Sequence, residues 1–547
     1  MSRASILNEP IEPFEQRMRS LESMPLPESL PRLLADAAAE APNHIFCNFF
    51  ELNRSFTYRE FHACTEQLAS SLHQRGIGRG THVGLMLPNV PEFLIAWFAL
   101  SRIGAVLVPI NPAYTTREVA FVIETGDVEW LFVGASGLET LQQIESLDRL
   151  IPAERIIYCG EESQIYQTWN AVFKTDTSAA ELPPVENVRS TDLASIAFTS
   201  GTTGFPKGCM LSHRFYTVIG LVNTYRDGRN FQRILTTMPL FYVDPRWQVL
   251  MAIYRRGTVF VATKPSASRL MDWVRKYQIQ FCLFPEVATK QPPSPLDKEH
   301  ELVRVTMYGI TPDRHAEIEE RYDFVARESY GMTEVGSVLF TPIEDPSTVG
   351  TGSCGRVCAF RETQIVDEDG NVVPPGELGE LRVKGPGIYD GYYKNKSATN
   401  EAFKDGWFCT GDIFRRDERG YFYLKGRVKD MIRRANENIA AREIEAVLRM
   451  MPEVVEAAAL PVPDPDRGEE VKVYVVLQPG LSADEVPPQL IIEHCERNLA
   501  RFKIPRYVAY ATDFPKTPSD RIAKHLIIKA SADLRLGSYD RVDDCWR

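Results

Sequence analysis

Residues 193–208 read Leu193-Ala-Ser-Ile-Ala-Phe-Thr-Ser-Gly-Thr-Thr-Gly-Phe-Pro-Lys-Gly208. The run 193–198 has the length and apolarity of a buried strand. Directly after it, small hydroxyl residues alternate with glycine as far as Pro-Lys-Gly. Glycine lets a backbone approach a phosphate closely, N–H and hydroxyl groups donate to its oxygens, and Lys207 opposes its charge. A plain solvated Gly/Ser/Thr loop has no need of a buried strand before it or of a Pro-Lys-Gly close. The Walker A pattern is excluded because Lys207 is followed by Gly208, not by Ser or Thr. The glycines at 76, 78 and 80 follow a helical pattern and read as a helix stop, not a dinucleotide loop.

Outward from this segment the chain alternates two periods. Apolar residues three and four apart predict helices over 30–41 and 58–75, with further helices over 92–103 and 116–125. Short apolar runs at 83–87, 105–109, 131–133, 235–238, 258–262 and 280–284 predict strands. This β-α-β rhythm argues parallel sheets with helices on their faces. After about residue 355 the runs shorten (362–366, 379–383, 420–424) and Asp/Gly turns separate them, which predicts a smaller β subdomain. Beyond it come a helix near 444–450, a strand over 471–477 and a helix over 488–501. The expected fold is therefore α/β. A large N-terminal domain, 1–425, holds two parallel-sheet α/β subdomains plus the β subdomain, and a small α+β C-terminal domain spans 426–547.

A chain of 547 residues is too long for one core and calls for several folding units. Lys plus Arg number 62 and Asp plus Glu 73, giving a net charge of −11, so the chain carries no electrostatic footprint for a nucleic-acid backbone. The ten cysteines are scattered, with no C-x-x-C pair and no histidine beside Cys354 and Cys358 to complete a zinc set. The first twenty residues mix Glu and Arg with few apolars, unlike a signal peptide. The most apolar stretch, 83–110, is broken by Pro88, Pro91, Glu92 and Arg102, which spoils it as a membrane span. These features predict a soluble protein of a reducing cytoplasm.

The glycine-rich segment resembles the signature of the adenylate-forming superfamily, which includes acyl- and aryl-CoA synthetases, peptide-synthetase adenylation domains and luciferases. Three further blocks follow in that family's order. Tyr330-Gly-Met-Thr-Glu334 resembles its Tyr-Gly-x-Thr-Glu, Gly406-Trp-Phe-Cys-Thr-Gly-Asp412 its Trp-x-x-Thr-Gly-Asp, and Gly426-Arg-Val-Lys-Asp430 its interdomain hinge. The resemblance implies a two-step reaction using ATP, Mg²⁺ and coenzyme A. A carboxylate attacks the α-phosphate, pyrophosphate leaves, and an acceptor such as the CoA thiol then displaces AMP. It implies that Thr199, Ser200, Gly201, Thr202, Thr203, Gly204 and Lys207 hold the β- and γ-phosphates. Thr333 would contact the α-phosphate and Glu334 would hold Mg²⁺, a hard cation suited to a carboxylate. Asp412 would accept the ribose hydroxyls, Arg427 would bind ribose or phosphate, and Gly309, Tyr330 and Gly331 would line the nucleotide. Lys429 would be the hinge about which the C-terminal domain pivots. The implied partners are a small-molecule acid and CoA or another acceptor, and a homodimer is allowed.

The chain differs from the family pattern at three places. Most members carry Pro-x-Thr-x-x-Gly-Lys in the C-terminal loop, whose lysine reaches the carboxylate and the α-phosphate. Here residues 515–521 read Pro-Lys-Thr-Pro-Ser-Asp-Arg, so Arg521, planar and bidentate, stands at that position, with Lys516 and Lys524 as nearby alternatives. Asn436 stands where a CoA-facing glycine is common. Residues 239–247, Pro-Leu-Phe-Tyr-Val-Asp-Pro-Arg-Trp, would line the acyl pocket, with Tyr242 in place of a frequent histidine. Asp244 and Arg246 either pair with each other, cap a helix, or face a small polar or zwitterionic acid; the phrase is similar to the bacterial carnitine-CoA-ligase-like branch. The leading expectation is an AMP-forming acyl-CoA ligase. Its rivals are transfer to an amine or a carrier-protein thiol, adenylation of another oxyanion such as nitrite, and a nucleotide-binding pseudoenzyme.

Overall fold

The computed structural model describes residues 3–175, 182–199, 206–427, 430–434, 437–465, 467–499, 501–517 and 521–547. By internal contacts the chain forms two compact units. The first comprises Met1–Thr199, Pro206–Thr363 and Val383–Phe408, and the second Ser200–Phe205, Gln364–Arg382 and Cys409–Arg547.

The first unit contains two seven-stranded sheets and a three-stranded one. In one large sheet Trp130–Val133, His82–Met86, Val106–Pro109 and Leu193–Thr199 run parallel in that order. Every residue of His82–Met86 and of Val106–Pro109 is buried, as sheets covered by helices on both faces require. The other large sheet sets Arg304–Thr306, Phe281–Leu283, Arg233–Thr236 and Thr258–Val261 side by side, again parallel. Each sheet has its own core. Val106, Val108, Leu131 and Ile196 belong to one, and Leu235, Phe260, Cys282 and Val305 to the other. The helix predicted over 116–125 is found at those bounds, closed at its start by a capping box between Thr115 and Glu118. The helices Leu30–Glu40 and Tyr58–Gln74 also form, the latter started by a Thr57–Glu60 capping box, a device contributing about 1 kcal/mol.

Some elements differ from the sequence expectation. The strand expected at 235–238 lies at Arg233–Thr236, in register with Thr258–Val261. The helix expected over 488–501 ends at Asn498, and the strand expected at 420–424 is Phe422–Arg427. The helix Val243–Arg255 begins inside the proposed pocket segment, where Pro245 is tolerated because a first turn leaves its N–H groups unpaired.

The second unit is built on a mixed sheet in which Gly468–Leu477 pairs antiparallel with Val454–Asp464 and parallel with Tyr507–Tyr510. The helices Ala441–Leu448 and Pro488–Asn498 pack on it through Ile444, Leu448, Ile491 and Cys495. Among the described residues no helix is long and apolar enough to cross a membrane.

Candidate active site

Lys207 does not open a helix. It begins the strand Lys207–Ser212, which returns antiparallel to Leu193–Thr199 with Thr199 and Lys207 as register partners. The Thr199 hydroxyl donates to the Lys207 carbonyl at 3.4 Å. Ser200, Gly201, Thr202, Thr203 and Gly204 fall between these partners in sequence and outside the described residues, and Lys429, the expected hinge, is also outside them. The Lys207 ammonium lies over the Tyr392 ring, 5.0 Å from its centroid.

A second hairpin, Ser329–Met332 with Gly336–Phe340, carries Thr333 and Glu334 in its turn. A Cβ on Gly331 would lie 2.4 Å from the Gly336 carbonyl oxygen, and Gly336 has φ +66°, so glycine is needed at both ends of this tight turn. Tyr330 is buried opposite Leu339, and Thr333 is half-buried. Glu334 is buried, and its Oε1 accepts the Tyr392 hydroxyl at 2.9 Å. Its carbonyl accepts the Tyr389 N–H at 2.7 Å. The 389–393 segment is in turn laced to the strand of Lys207, through Met210 N–H to the Gly391 carbonyl at 3.0 Å and Tyr393 N–H to the Gly208 carbonyl at 2.8 Å. Burial and the Glu334 carboxylate both raise the pKa of the Tyr392 phenol and of the buried Cys209 thiol, so both stay protonated beside the acid. Among the described residues no three His, Cys, Asp or Glu side chains are grouped to hold a metal ion. A cation here would take one hard oxygen from Glu334 and the rest from phosphates and water, the usual manner of Mg²⁺.

Gly309, at φ +71°, follows the strand Arg304–Thr306. Its N–H and that of Ile310 donate to the two Glu328 carboxylate oxygens, each at 2.9 Å. The Tyr308 hydroxyl reaches Asp244 Oδ1 at 3.4 Å, and Trp247 Nε1 donates to the same oxygen at 3.1 Å. Asp244 sits in the first turn of Val243–Arg255, where the helix dipole favours a carboxylate, while burial raises its pKa. Tyr242 precedes the helix with its ring packed on Phe241, 4.5 Å between centroids. Arg246 is fully buried and takes other partners. Its Nε donates to the Tyr242 carbonyl at 3.0 Å and its Nη1 to the Tyr216 hydroxyl at 2.5 Å, with its plane over the Trp97 and Tyr216 rings. Asp244 and Arg246 therefore do not pair with each other.

In the second unit Asp412 and Arg427 are register partners on antiparallel strands, joined by an ion pair of 2.9 Å between Arg427 Nε and Asp412 Oδ1. Asp412 is buried; its N–H donates to the Thr410 hydroxyl oxygen at 3.1 Å, and the Thr410 hydroxyl donates to the Leu381 carbonyl at 2.7 Å. The Arg521 guanidinium is close enough to feel both charges. Burial and Arg427 lower its pKa, and Asp412 opposes them. The two alternative lysines are engaged elsewhere, Lys516 with Glu456 and Lys524 with Glu445 at 2.6 Å.

Of the sequence-predicted residues, the structure thus brings Lys207 and Glu334 to Tyr392, with Thr199 hydrogen-bonded to the Lys207 carbonyl, and gathers Asp412, Arg427 and Arg521 around one ion pair. It sets Gly309 near Asp244 through Tyr308. Tyr392, Glu328, Tyr308 and Tyr216 were not anticipated. Only the aromatic cluster in Tyr389-Asp-Gly-Tyr-Tyr393 offered a signal.

Known proteins share this arrangement of sequence and fold. Residues 34–393 match the model of the AMP-binding enzymes and residues 443–521 that of the AMP-binding enzyme C-terminal domain. A crotonobetaine/carnitine–CoA ligase of Salmonella heidelberg (strain SL476) is 32% identical over 485 residues, covering 86% of this chain and 92% of the ligase. The fold is similar to that of MatB from Rhodopseudomonas palustris with ATP bound, at TM-score 0.79 and 25% identity over 91% of this chain and 98% of that one. It is also similar to o-succinylbenzoate CoA synthetase from Bacillus subtilis with its acyl-adenylate, at TM-score 0.78 and 24% identity over 92% and 98%. The family match spans more than half of the chain and a relative above 30% identity spans most of it; the chain belongs to the AMP-binding enzymes, the adenylate-forming ligases.

Proposed function

We propose that the protein joins a small carboxylic acid to ATP as an acyl-adenylate with release of pyrophosphate, and then passes the acyl group to the thiol of coenzyme A with release of AMP. The observation that carries this reading is the pairing of a buried carboxylate, Glu334, with a cation, Lys207, on either side of Tyr392 at the end of the glycine-rich hairpin. Opposite charges brought together there suit a metal–polyphosphate complex, which needs both. Lys207 and residues 199–204 hold the β- and γ-phosphates, and Thr333 meets the α-phosphate. Asp412 accepts the ribose hydroxyls beside Arg427, and Gly309, Tyr330 and Gly331 line the nucleotide. Magnesium, when bound at Glu334, offsets phosphate charge. Arg521 supplies the cation that other members draw from lysine. The protein provides no covalent nucleophile; positioning and charge stabilisation do its work. Residues 426–547 turn about Lys429 between the half-reactions, and the enzyme is cytoplasmic.

Polar Asp244 amid Tyr308, Trp247 and Tyr242 favours a small polar acid over a long fatty chain, and crotonobetaine and carnitine, named in the Salmonella relative, head the panel to try. A second reading keeps adenylation but transfers to an amine or a carrier-protein thiol; Asn436 and Arg521 favour it. AMP release from ATP with a panel of small acids, with and without CoA and with products identified by mass, tests both. Acyl-CoA is the expected product. Acid-dependent adenylate with no thioester would overturn the CoA step and leave the second reading.

A further inference from the structure

We propose that Tyr392 is a positioning residue that presets the two opposite charges of the nucleotide site, its hydroxyl fixing the Glu334 carboxylate and its ring face seating the Lys207 ammonium. The inference rests on Glu334 being the magnesium carboxylate. A glutamate has three side-chain torsions, and freezing them opposes cation binding unless the fold has already done so. The Tyr392 hydroxyl holds Glu334 Oε1 at 2.9 Å. Such a bond occupies one of about four lone-pair positions on a carboxylate and leaves its charge intact. A phenol is suited to this task because it is neutral. It orients the carboxylate without cancelling the charge that attracts the metal, which an arginine in its place would do.

The ring face performs the second task. Lys207 Nζ lies 5.0 Å from the Tyr392 centroid, within the range of about 6 Å over which an aromatic quadrupole attracts a cation. The end of the long lysine stem is thereby held at the ring whose hydroxyl holds Glu334. Tyr392 is itself fixed. Its N–H donates to the Thr399 hydroxyl oxygen at 2.9 Å, its backbone bridges antiparallel to Cys209, and the Tyr389 ring meets it edge-on at 5.0 Å. One side chain, 58 positions along the chain from Glu334, thus links the turn that bears the acid to the strand that bears the base. The two tasks use different parts of the residue and can be separated by substitution.

The test measures affinity for Mn²⁺–ATP, from the electron paramagnetic resonance signal of unbound Mn²⁺, and affinity for ATP in EDTA, by calorimetry. It uses the full chain as wild type, Tyr392→Phe, Tyr392→Leu, Glu334→Gln and the Glu334→Gln/Tyr392→Phe double variant. Tyr392→Phe keeps the ring and is expected to weaken Mn²⁺–ATP about tenfold, the loss of one hydrogen bond to a charged group, while ATP in EDTA stays within about twofold. Tyr392→Leu is expected to weaken both. In the Glu334→Gln background Tyr392→Phe should add nothing. Wild-type Mn²⁺–ATP affinity in Tyr392→Phe, with Glu334→Gln weakened, overturns the inference. So does an equal loss of both ligands in Tyr392→Phe, or a full additive loss in the double variant, since either marks a merely structural tyrosine. Wild-type affinity in Glu334→Gln overturns instead the underlying reading of that acid.

Discussion

Glu334 and Asp412 are both buried carboxylates, at 7% and 4% exposure, yet their surroundings treat them in opposite ways. Glu334 is met by protonated neutral donors, Tyr392 and Cys209, and the Lys207 ammonium lies over the ring of the same tyrosine. Asp412 is in direct contact with arginine, and a second arginine is close by. Burying an ionised carboxylate costs several kcal/mol unless it is compensated, and under the proposed function each solution fits a different task. An acid proposed to attract a metal keeps its charge and borrows orientation from a phenol. An acid proposed to accept hydroxyls can share its charge with arginine, because an ionised carboxylate accepts several hydrogen bonds at once.

Four substitutions probe this contrast, from the largest effect to the smallest. Asp412→Ala removes the proposed ribose acceptor and the ion-pair partner of Arg427. Acid-dependent ATP–pyrophosphate exchange should fall on the order of 10³-fold, the equivalent of two charged hydrogen bonds at roughly 1.5–3 kcal/mol each, and near-normal exchange would break the assignment. Lys207→Met deletes the charge-assisted contact to phosphate proposed for that residue. A loss of about 10–100-fold, mostly in KM for ATP, is expected, with a modest change in thermal stability because a cation–π contact contributes only about 0.5–2 kcal/mol. Arg521→Lys retains the charge beside Asp412 and should leave pyrophosphate exchange within about threefold. Its collapse would show that the planar fork, not charge alone, is required. Lys516→Ala opens a partly exposed pair with Glu456. It should shift unfolding free energy by less than about 1 kcal/mol in a denaturant titration and leave exchange unaltered; a loss of exchange would make Lys516 the acting cation.

The parallel sheets were legible because both faces of strands such as Val106–Pro109 are buried, so the runs are continuously apolar. Antiparallel elements were harder to read. Val454–Asp464 contains Pro461 and Pro463, which normally argue against a strand. Among the described residues it pairs with Gly468–Leu477 alone, and an edge strand tolerates proline because a missing N–H can face away from the sheet. The return strand Lys207–Ser212 went unread because its start lies inside the glycine-rich motif, and Gly208 has a packing role there: a Cβ would stand 2.7 Å from Ile196 Cγ2. Charged residues of the candidate site stood out as motif letters, whereas their partners did not. Glu328 beneath Gly309 and Tyr392 beside Glu334 are fixed by register and by crossings between distant segments. Neither periodicity nor composition encodes those relations. Likewise the Arg427–Asp412 pair depends on the alignment of two strands, of which sequence located Phe422–Arg427 only to within a few residues and left Trp407–Arg416 unread.

The most direct measurement compares the binding of AMP, metal-free ATP and Mg²⁺–ATP to Glu334→Gln and Asp412→Ala by calorimetry. In Glu334→Gln, AMP should bind as to the wild type while the affinity that Mg²⁺ adds to ATP disappears. In Asp412→Ala, AMP binding should fall by at least about tenfold while the Mg²⁺ increment persists. The same pattern of losses in both variants, or the two patterns exchanged, would contradict the division of labour between the two carboxylates.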